Sequence, residues 1–370
     1  MDHAATTPVK PEVLSAMLPY FTDYFANASG VYAASREARR AIDEARGQVA
    51  LLIGAQPEEI HFTSGGSESD NWAISGVLHA SATGKKRVIT TAIEHHAVLN
   101  TCEALMQSGF ERSIVGVTPA GVVLPVAFAQ AMGPDTALAS VMLANNETGA
   151  IQPVREIAQL AHARGIPVHT DAVQAVGRIP VDVRALDVDL LSMSAHKFGG
   201  PKGIGALYVR KGTRLNPLIY GGAQERGMRA GTENTAAIVG MGEAARIARG
   251  HLTQTMAYVA SLRDELIAQV CAKLSGVTVN ALGAQRLPGH VHLTFEGADS
   301  AMLLMRLDML GIAASAGSAC TSGAVSRSHV LQAMGGGPGA DLRLTLGEDN
   351  TPEDVDRVVK ALCSILKRAT

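Results

Sequence analysis

The sequence predicts an α/β protein: a large domain built on a mostly parallel sheet covered by helices, followed by a smaller α+β domain. Three observations carry this reading. Short β-rich runs alternate with helical patterns between about residues 60 and 210, the order expected of strands joined by helical crossovers. The runs themselves are short and apolar, as in VDLLSMS (188–194) and GALYV (205–209), which suits strands covered on both faces. After about residue 250 the alternation stops and a separate set of helices and strands begins.

In chain order, the strands of the first part are EIHFTSG, RVITTAIEH, SIVGV, ALASVML, IPVHTDAV, DLLSMS and GALYV. Helices such as HAVLNTCEALMQSG and VREIAQLAHARG lie between them. A helical segment near TAAIVGMGEAARIARG and a second, polar helix lead into the smaller part. There HVHLTFEG reads as a strand, ADSAMLLMRLDMLG as a helix, GGGPGA as a loop and LRLTLG as a strand. The last helix, TPEDVDRVVKALCSILKRA, opens with Thr351 as N-cap, Pro352 at the first helical position and an acid at the third, a strong start signal. Its Val355, Val358, Val359, Leu362, Ile365 and Leu366 form one apolar stripe. The expected division is 10–249 for the large domain and 250–370 for the small one, with 1–9 packing near the latter.

A chain of 370 residues, 47% hydrophobic and 18% charged, folds around a large core. Its net charge of -2, with acids and bases interspersed, gives no footing for nucleic acid or an anionic membrane. No apolar stretch approaches the length of a membrane span, and the first residues, MDHAATTPVKPE, contain no signal-peptide pattern. The four cysteines, Cys102, Cys271, Cys320 and Cys363, are far apart. That spacing argues against a disulfide framework or a metal site and for a reducing cytoplasm.

Chemistry gathers at the predicted carboxyl ends of the strands, where open α/β sheets hold their ligands. In FTSGGSESDN (62–71) a strand ends, small residues turn the chain and a helix begins. Free backbone N–H groups there suit an anion, and Ser67 adds a hydroxyl. Asp171 ends the apolar run IPVHTD, and Lys197 follows VDLLSMS within SAHKFGG. A buried lysine is costly unless it is paired or chemically used. An acid, a lysine and an anion-binding helix start together match the needs of pyridoxal 5'-phosphate: a covalent anchor, a partner for the pyridinium nitrogen and a phosphate cradle. Burial and a nearby cation would depress the lysine's pKa and make it nucleophilic.

The chain resembles the cysteine desulfurases of the NifS/IscS type, a class-V aminotransferase-like branch of the fold-type I pyridoxal-phosphate enzymes. The resemblance rests on nine stretches in order: DHAATTP, FTSGGSESDN, EHHAV, NNETG, DAVQAVG, SAHKFGGPKGIGALY, GGAQERGMRAGTEN, SAGSACTS and LRLTLG. It implies that Lys197 anchors the cofactor, Asp171 meets the ring nitrogen and Gln174 the ring hydroxyl. His95 would stack on the ring and move protons. Gly66, Ser67, Ser194 and His196 would hold the phosphate, and Thr232 would reach the phosphate of the neighbouring subunit in a homodimer. Asn146 and Arg343 would bind the substrate carboxylate. The neighbour His96 is read as structural.

Cys320 narrows the reaction. It sits in SAGSACTSGAVSRSHVL (315–331), a run of small residues that reads as a reactive loop over 315–328. By resemblance Cys320 takes sulfur from L-cysteine, leaving a persulfide on the loop and L-alanine as product. The loop would then deliver the sulfur to an acceptor protein, an iron–sulfur scaffold or a thiolation enzyme. A selenocysteine lyase, or another lyase or aminotransferase of the same fold, is the alternative; Cys320 argues against it, because transamination needs no loop thiol. A sulfur carrier without catalysis is a third reading, and Lys197, Asp171, His95 and Gln174 together oppose it. The stretch NASGVY (27–32) departs from the family's NPxSxH pattern, so the entrance to the site is expected to differ.

Overall fold

The computed structural model describes residues 1–81, 84–317 and 328–366. Among the described residues, ten strands form two sheets: β1 Ile60–Thr63, β2 Arg87–Thr91, β3 Glu111–Val115, β4 Thr136–Ser140, β5 Val168–Asp171, β6 Leu190–Ser194, β7 Gly205–Val209, β8 Val277–Val279, β9 His290–Phe295 and β10 Ala340–Thr345. The seven-stranded sheet has the order β1-β7-β6-β5-β4-β2-β3. β2–β3, β2–β4, β4–β5 and β5–β6 pair in parallel. β7 runs antiparallel to both β1 and β6. The cause is the link from Ser194 to Gly205, which contains only the short 3-10 turn Ala195–Lys197. A parallel return needs a crossover of about a dozen residues or more, usually a helix.

Because β7 is reversed on both sides, β1 points the same way as β6. Thr63 and Ser194 both face Gly205 in register, so the carboxyl ends of β1 and β6 share one edge of the sheet. Asp171 pairs with Ser192 at the same edge. Central strands are buried along their full length in β4, β5 and β6, as the apolar runs require.

Helices cover both faces of this sheet. The helix Ala33–Leu52 buries Ala38, Ile42, Ala45 and Val49 at helical spacing, and Gly242 of a later helix has no room for a side chain because Ala45 lies against it. On the other face the helix Gly66–Ala80 buries Trp72, whose Nε1 donates to the Asn216 carbonyl at 2.9 Å. The two helical segments read around residue 250 form one 39-residue helix, Thr235–Lys273. Its first half packs Ile238, Met241 and Ala245 into the core of the large sheet. Its second half gives Val259, Leu262, Leu266 and Val270 to a second core.

That second core lies under the antiparallel sheet β10-β9-β8 and takes the apolar stripe of the terminal helix Pro352–Leu366. The start of that helix is closed reciprocally: the Asp354 N–H donates to Thr351 Oγ1 at 3.3 Å, and the Thr351 N–H to Asp354 Oδ2 at 3.2 Å. The first residues are stitched onto β10. Thr345 N–H donates to the Met1 carbonyl at 3.0 Å, His3 N–H to the Thr345 carbonyl at 3.2 Å, and Asp2 forms a parallel bridge with Thr345. Among the described residues, no helix is long and apolar enough to cross a membrane.

Candidate active site

Five loops converge at the shared edge. The loop after β1 opens the helix Gly66–Ala80, with Gly65 extended at φ 155. A Cβ on Gly66 would lie 2.6 Å from Val173 Cγ2, and one on Gly205 would lie 2.5 Å from the Met193 carbonyl oxygen. Glycine is therefore what lets the helix start close against the ends of β5 and β6. Ser194, the last residue of β6, is buried beside it. Ser67 is exposed at the first turn. Glu68, the acid of that turn, is held by two Arg229 hydrogen bonds, at 2.8 and 3.0 Å.

At the end of β5 the buried Asp171 carboxylate accepts the Val173 N–H at 2.9 Å. Burial pushes its carboxyl up, opposed by His95, the Val173 N–H and Lys197. His95 caps the helix His96–Met106: its Nδ1 accepts the Ala97 N–H at 3.1 Å. Burial lowers the His95 pKa, the Asp171 carboxylate pulls it up, and the Lys197 charge lowers it further. The neutral ring thus carries its proton on Nε2. His96 stacks edge-on against His329, with ring centres 4.7 Å apart.

Lys197 closes the 3-10 turn after β6. Its Nζ donates to the carbonyls of Ala4 and Ala5, the latter at 2.8 Å. His196 Nδ1 lies 3.1 Å from Thr6 Oγ1, and burial, with Lys197 beside it, pushes its pKa down to about 4. Gln174 is buried and donates from Nε2 to the Ala4 carbonyl at 3.0 Å. Its Oε1 is buried with no partner among the described residues.

Asn146 and Arg343 meet from different parts of the chain. Arg343 reaches from β10, is 2% exposed, and donates from Nη1 to the Asn146 carbonyl at 3.1 Å. The Asn146 loop is folded by its neighbour: Asn145 Oδ1 accepts the N–H groups of Glu147 and Thr148 at 3.0 and 2.9 Å, and Asn145 Nδ2 donates to the Ile93 carbonyl at 3.0 Å. That last bond ties the Asn146 loop to the His95 loop. Thr232 stands apart, exposed, on a segment pinned by Arg229 and Glu225. Cys320 lies outside the described residues, as does most of the loop read over 315–328.

Three kinds of site residue escaped the sequence reading. Asp2 accepts from Arg343 Nη2 at 2.9 Å. Ala4 and Ala5 serve Lys197 and Gln174 through backbone carbonyls, which no side-chain pattern reveals. Arg178 donates to the Lys197 carbonyl at 3.3 Å and to the His3 carbonyl, bracing the lysine turn against the first residues. The only hint of these roles was the position of DHAATTP among the nine stretches.

The chain matches the class-V aminotransferase family over residues 1–358. It is 47% identical over 371 residues to a protein of Methanosarcina thermophila named cysteine desulfurase IscS, covering 100% of this chain and 92% of that one. Among solved structures, a NifS-like protein superposes with a TM-score of 0.93 at 36% identity, covering 99% of this chain and 98% of the other. A structure described as SspA in complex with cysteine gives a TM-score of 0.83 at 35% identity, over 95% and 99% of the two chains.

Proposed function

We propose a cysteine desulfurase acting through Cys320, starting from the fact that the chain belongs to the class-V aminotransferase family and so uses pyridoxal phosphate. One observation carries the reading: His95, Asp171 and Lys197 stand at the ends of strands of one sheet, on an edge where a glycine-opened helix begins, close enough for Asp171 and Lys197 to shift the His95 titration. The cofactor's fit is supported by the chemistry of the donors. Lys197 supplies an amine for covalent attachment and Asp171 a carboxylate for a pyridinium nitrogen. Gln174 supplies a buried amide with unused capacity for a ring hydroxyl. Gly66, Ser67, Ser194 and His196 would hold the phosphate, with Gly66 opening the helix beside Ser194. Bound there, pyridoxal phosphate acts as an electron sink for the carbon skeleton of the substrate.

The chain's own residues do the rest. Arg343 and Asn146 grip the carboxylate of L-cysteine, an oxygen pair suited to a guanidinium fork. His95, neutral with its proton on Nε2, exchanges protons with the reacting groups. Cys320 attacks the substrate sulfur. The carbon–sulfur bond breaks, an S–S bond forms, and the β-carbon gains a proton. The balance is Cys320–SH plus L-cysteine giving Cys320–S–SH plus L-alanine. The two sulfurs are oxidised, the β-carbon is reduced, and no outside oxidant is needed. The persulfide then passes to an acceptor protein.

The active unit in this reading is a homodimer. Leu18, Phe21, Phe25 and Val31 are exposed along the first helices and their loop, and Ile219 and Tyr220 precede the Thr232 segment. Arg39 links the two stretches by donating to the Ala28 carbonyl and, at 3.0 Å, to Glu233. Exposed apolar side chains grouped in this way suit a protein partner, and a second copy lets Thr232 meet the neighbouring phosphate. Cys102, Cys271 and Cys363 are free thiols, in keeping with a cytoplasmic protein.

The test is alanine release from L-cysteine by the pyridoxal-phosphate-loaded protein and by its Cys320→Ala variant. Release by the first and none by the second is expected. Equal release by both, or none by either loaded protein, overturns the reading.

A further inference from the structure

We propose that Asp2 is the positioning residue of the substrate-carboxylate site, aiming the Arg343 guanidinium from the first residues of the chain; this rests on the reading of Arg343 given above. Arg343 projects from β10 into a fully packed region and has many rotamers to lose. Two contacts from different elements hold its fork: Nη1 donates to the Asn146 carbonyl at 3.1 Å, and Nη2 to Asp2 Oδ1 at 2.9 Å. Asp2 is the carboxylate that pairs with Arg343 among the described ion pairs. Its other oxygen, Oδ2, accepts the Ser315 hydroxyl at 2.8 Å, so the carboxylate plane is fixed at both ends.

Asp2 is itself held in place by the backbone. Thr345 bonds to Met1 and His3 on either side of it, and the Ala4 N–H donates to Thr345 Oγ1 at 2.8 Å. Thr345 is two residues from Arg343 on the same strand, so the Asp2 to Arg343 geometry is set by a local ladder. The Arg343 Nε is buried with no partner among the described residues. With one N–H each on Nη1 and Nη2 engaged, the guanidinium keeps three donors for an incoming carboxylate. Asp2 therefore orients the fork without using it up. The next residues, Ala4 and Ala5, touch Lys197, so one short stretch sets the spacing between the amine and carboxylate ends of the site.

The test compares L-alanine with ethylamine, an amine of the same length lacking the carboxylate, titrated against the loaded enzyme by its cofactor absorbance. The native enzyme is expected to favour L-alanine. Asp2→Ala should lose about tenfold or more of that preference, the scale of a hydrogen bond to a charged group, with ethylamine binding unchanged. Asp2→Asn keeps an acceptor for Nη2 and should stay within about threefold of native. Thermal unfolding and cofactor content identify a variant that has not folded, and Asp2→Asn then decides: a loss as large as that of Arg343→Gln overturns the proposal. Asp2→Ala binding both ligands as the native enzyme does, or losing both alike, overturns it too. Arg343→Gln is run beside them. If it abolishes the preference while Asp2→Ala keeps the native preference, the Asp2 proposal alone falls; if it retains the preference, the reading of Arg343 falls and takes the proposal with it.

Discussion

Arg46 and Glu225 form a buried two-point ion pair, Nη1 to Oε2 at 2.7 Å and Nη2 to Oε1 at 2.8 Å. Glu225 also accepts the Phe62 N–H at 2.9 Å, and the Arg46 guanidinium lies 4.8 Å from the Phe62 ring centre. The pair therefore fastens the Thr232 segment to β1 and the helix Ala33–Leu52. Glu225 and Arg226 sit in the left-handed region, at φ 46 and 58, a conformation that non-glycine residues hold only when the surroundings fix it.

Removing one partner of this pair should be expensive. Glu225→Ala leaves a buried guanidinium, at a cost of about 3–5 kcal/mol. Burial alone pushes the Glu225 carboxyl up, but the Arg46 hydrogen bonds and charge overcome that and hold it below the usual range. A depressed folded-state pKa means stability present above the unfolded value and lost as the pH falls through the folded one. Urea unfolding of native protein and Glu225→Ala at pH 7 and pH 4 checks both points. The gap between them should shrink on acidification, and an equal gap at both pH values refutes the linkage.

His95 gives the second prediction. With Nδ1 occupied by the Ala97 N–H, Nε2 is the ring nitrogen left to carry a transferable proton. His95→Gln preserves an acceptor for the helix start but exchanges no proton, so the loaded variant should keep its cofactor absorbance and lose about 10²–10⁴ in alanine formation. A rate within about threefold of native would remove His95 from the proton-moving role.

Most of the strands were legible because each is a short apolar run between turn residues, and Asp171, Ser194 and Lys197 could be placed at strand ends for the same reason. The reversal of β7 was legible in principle, since the link from Ser194 to Gly205 is too short for a crossover helix. What could not be read was chemistry made by backbone. The Ala4 and Ala5 carbonyls leave no mark in residue type, and the meeting of Asp2 with Arg343 depends on how the first residues lie along β10. The joined helix Thr235–Lys273 was divided because its apolar face changes partner near residue 250: Ala245 serves one core and Val259 the other. β8, only three residues long, has too little pattern to announce itself.

The pH dependence of stability should have two opposed limbs. His61 is pushed down to about 4, and His169 and His292 to about 3, all chiefly by burial. They fold neutral, so their stability contribution is present above pH 6.5 and is lost as the pH falls through those values. Glu94 runs the other way. Burial pushes its carboxyl up to about 8, even though Oε1 accepts from Thr91 and from the Met142 N–H. Its contribution is present below pH 4.5 and lost as the pH rises through 8. Glu94→Gln should therefore raise the urea midpoint relative to native at pH 8 and give little or no gain at pH 5. A constant difference across that range would show that Glu94 is not the titrating group.

The thiols supply the last prediction. Cys102 is buried in the helix His96–Met106, and burial pushes its thiol up to about 12. At pH 8 the thiolate fraction of such a group is negligible, and the thiolate is the reacting form. Cys271 is exposed on the long helix. Brief treatment of the native protein with iodoacetamide at pH 8, followed by peptide mass mapping, should modify Cys271 and leave Cys102 intact. A Cys102→Ala variant should release alanine at close to the native rate, whereas modification of Cys320 should abolish release. Loss of activity that instead tracked modification of Cys102 or Cys271, with Cys320 unmodified, would move the sulfur-accepting role away from Cys320.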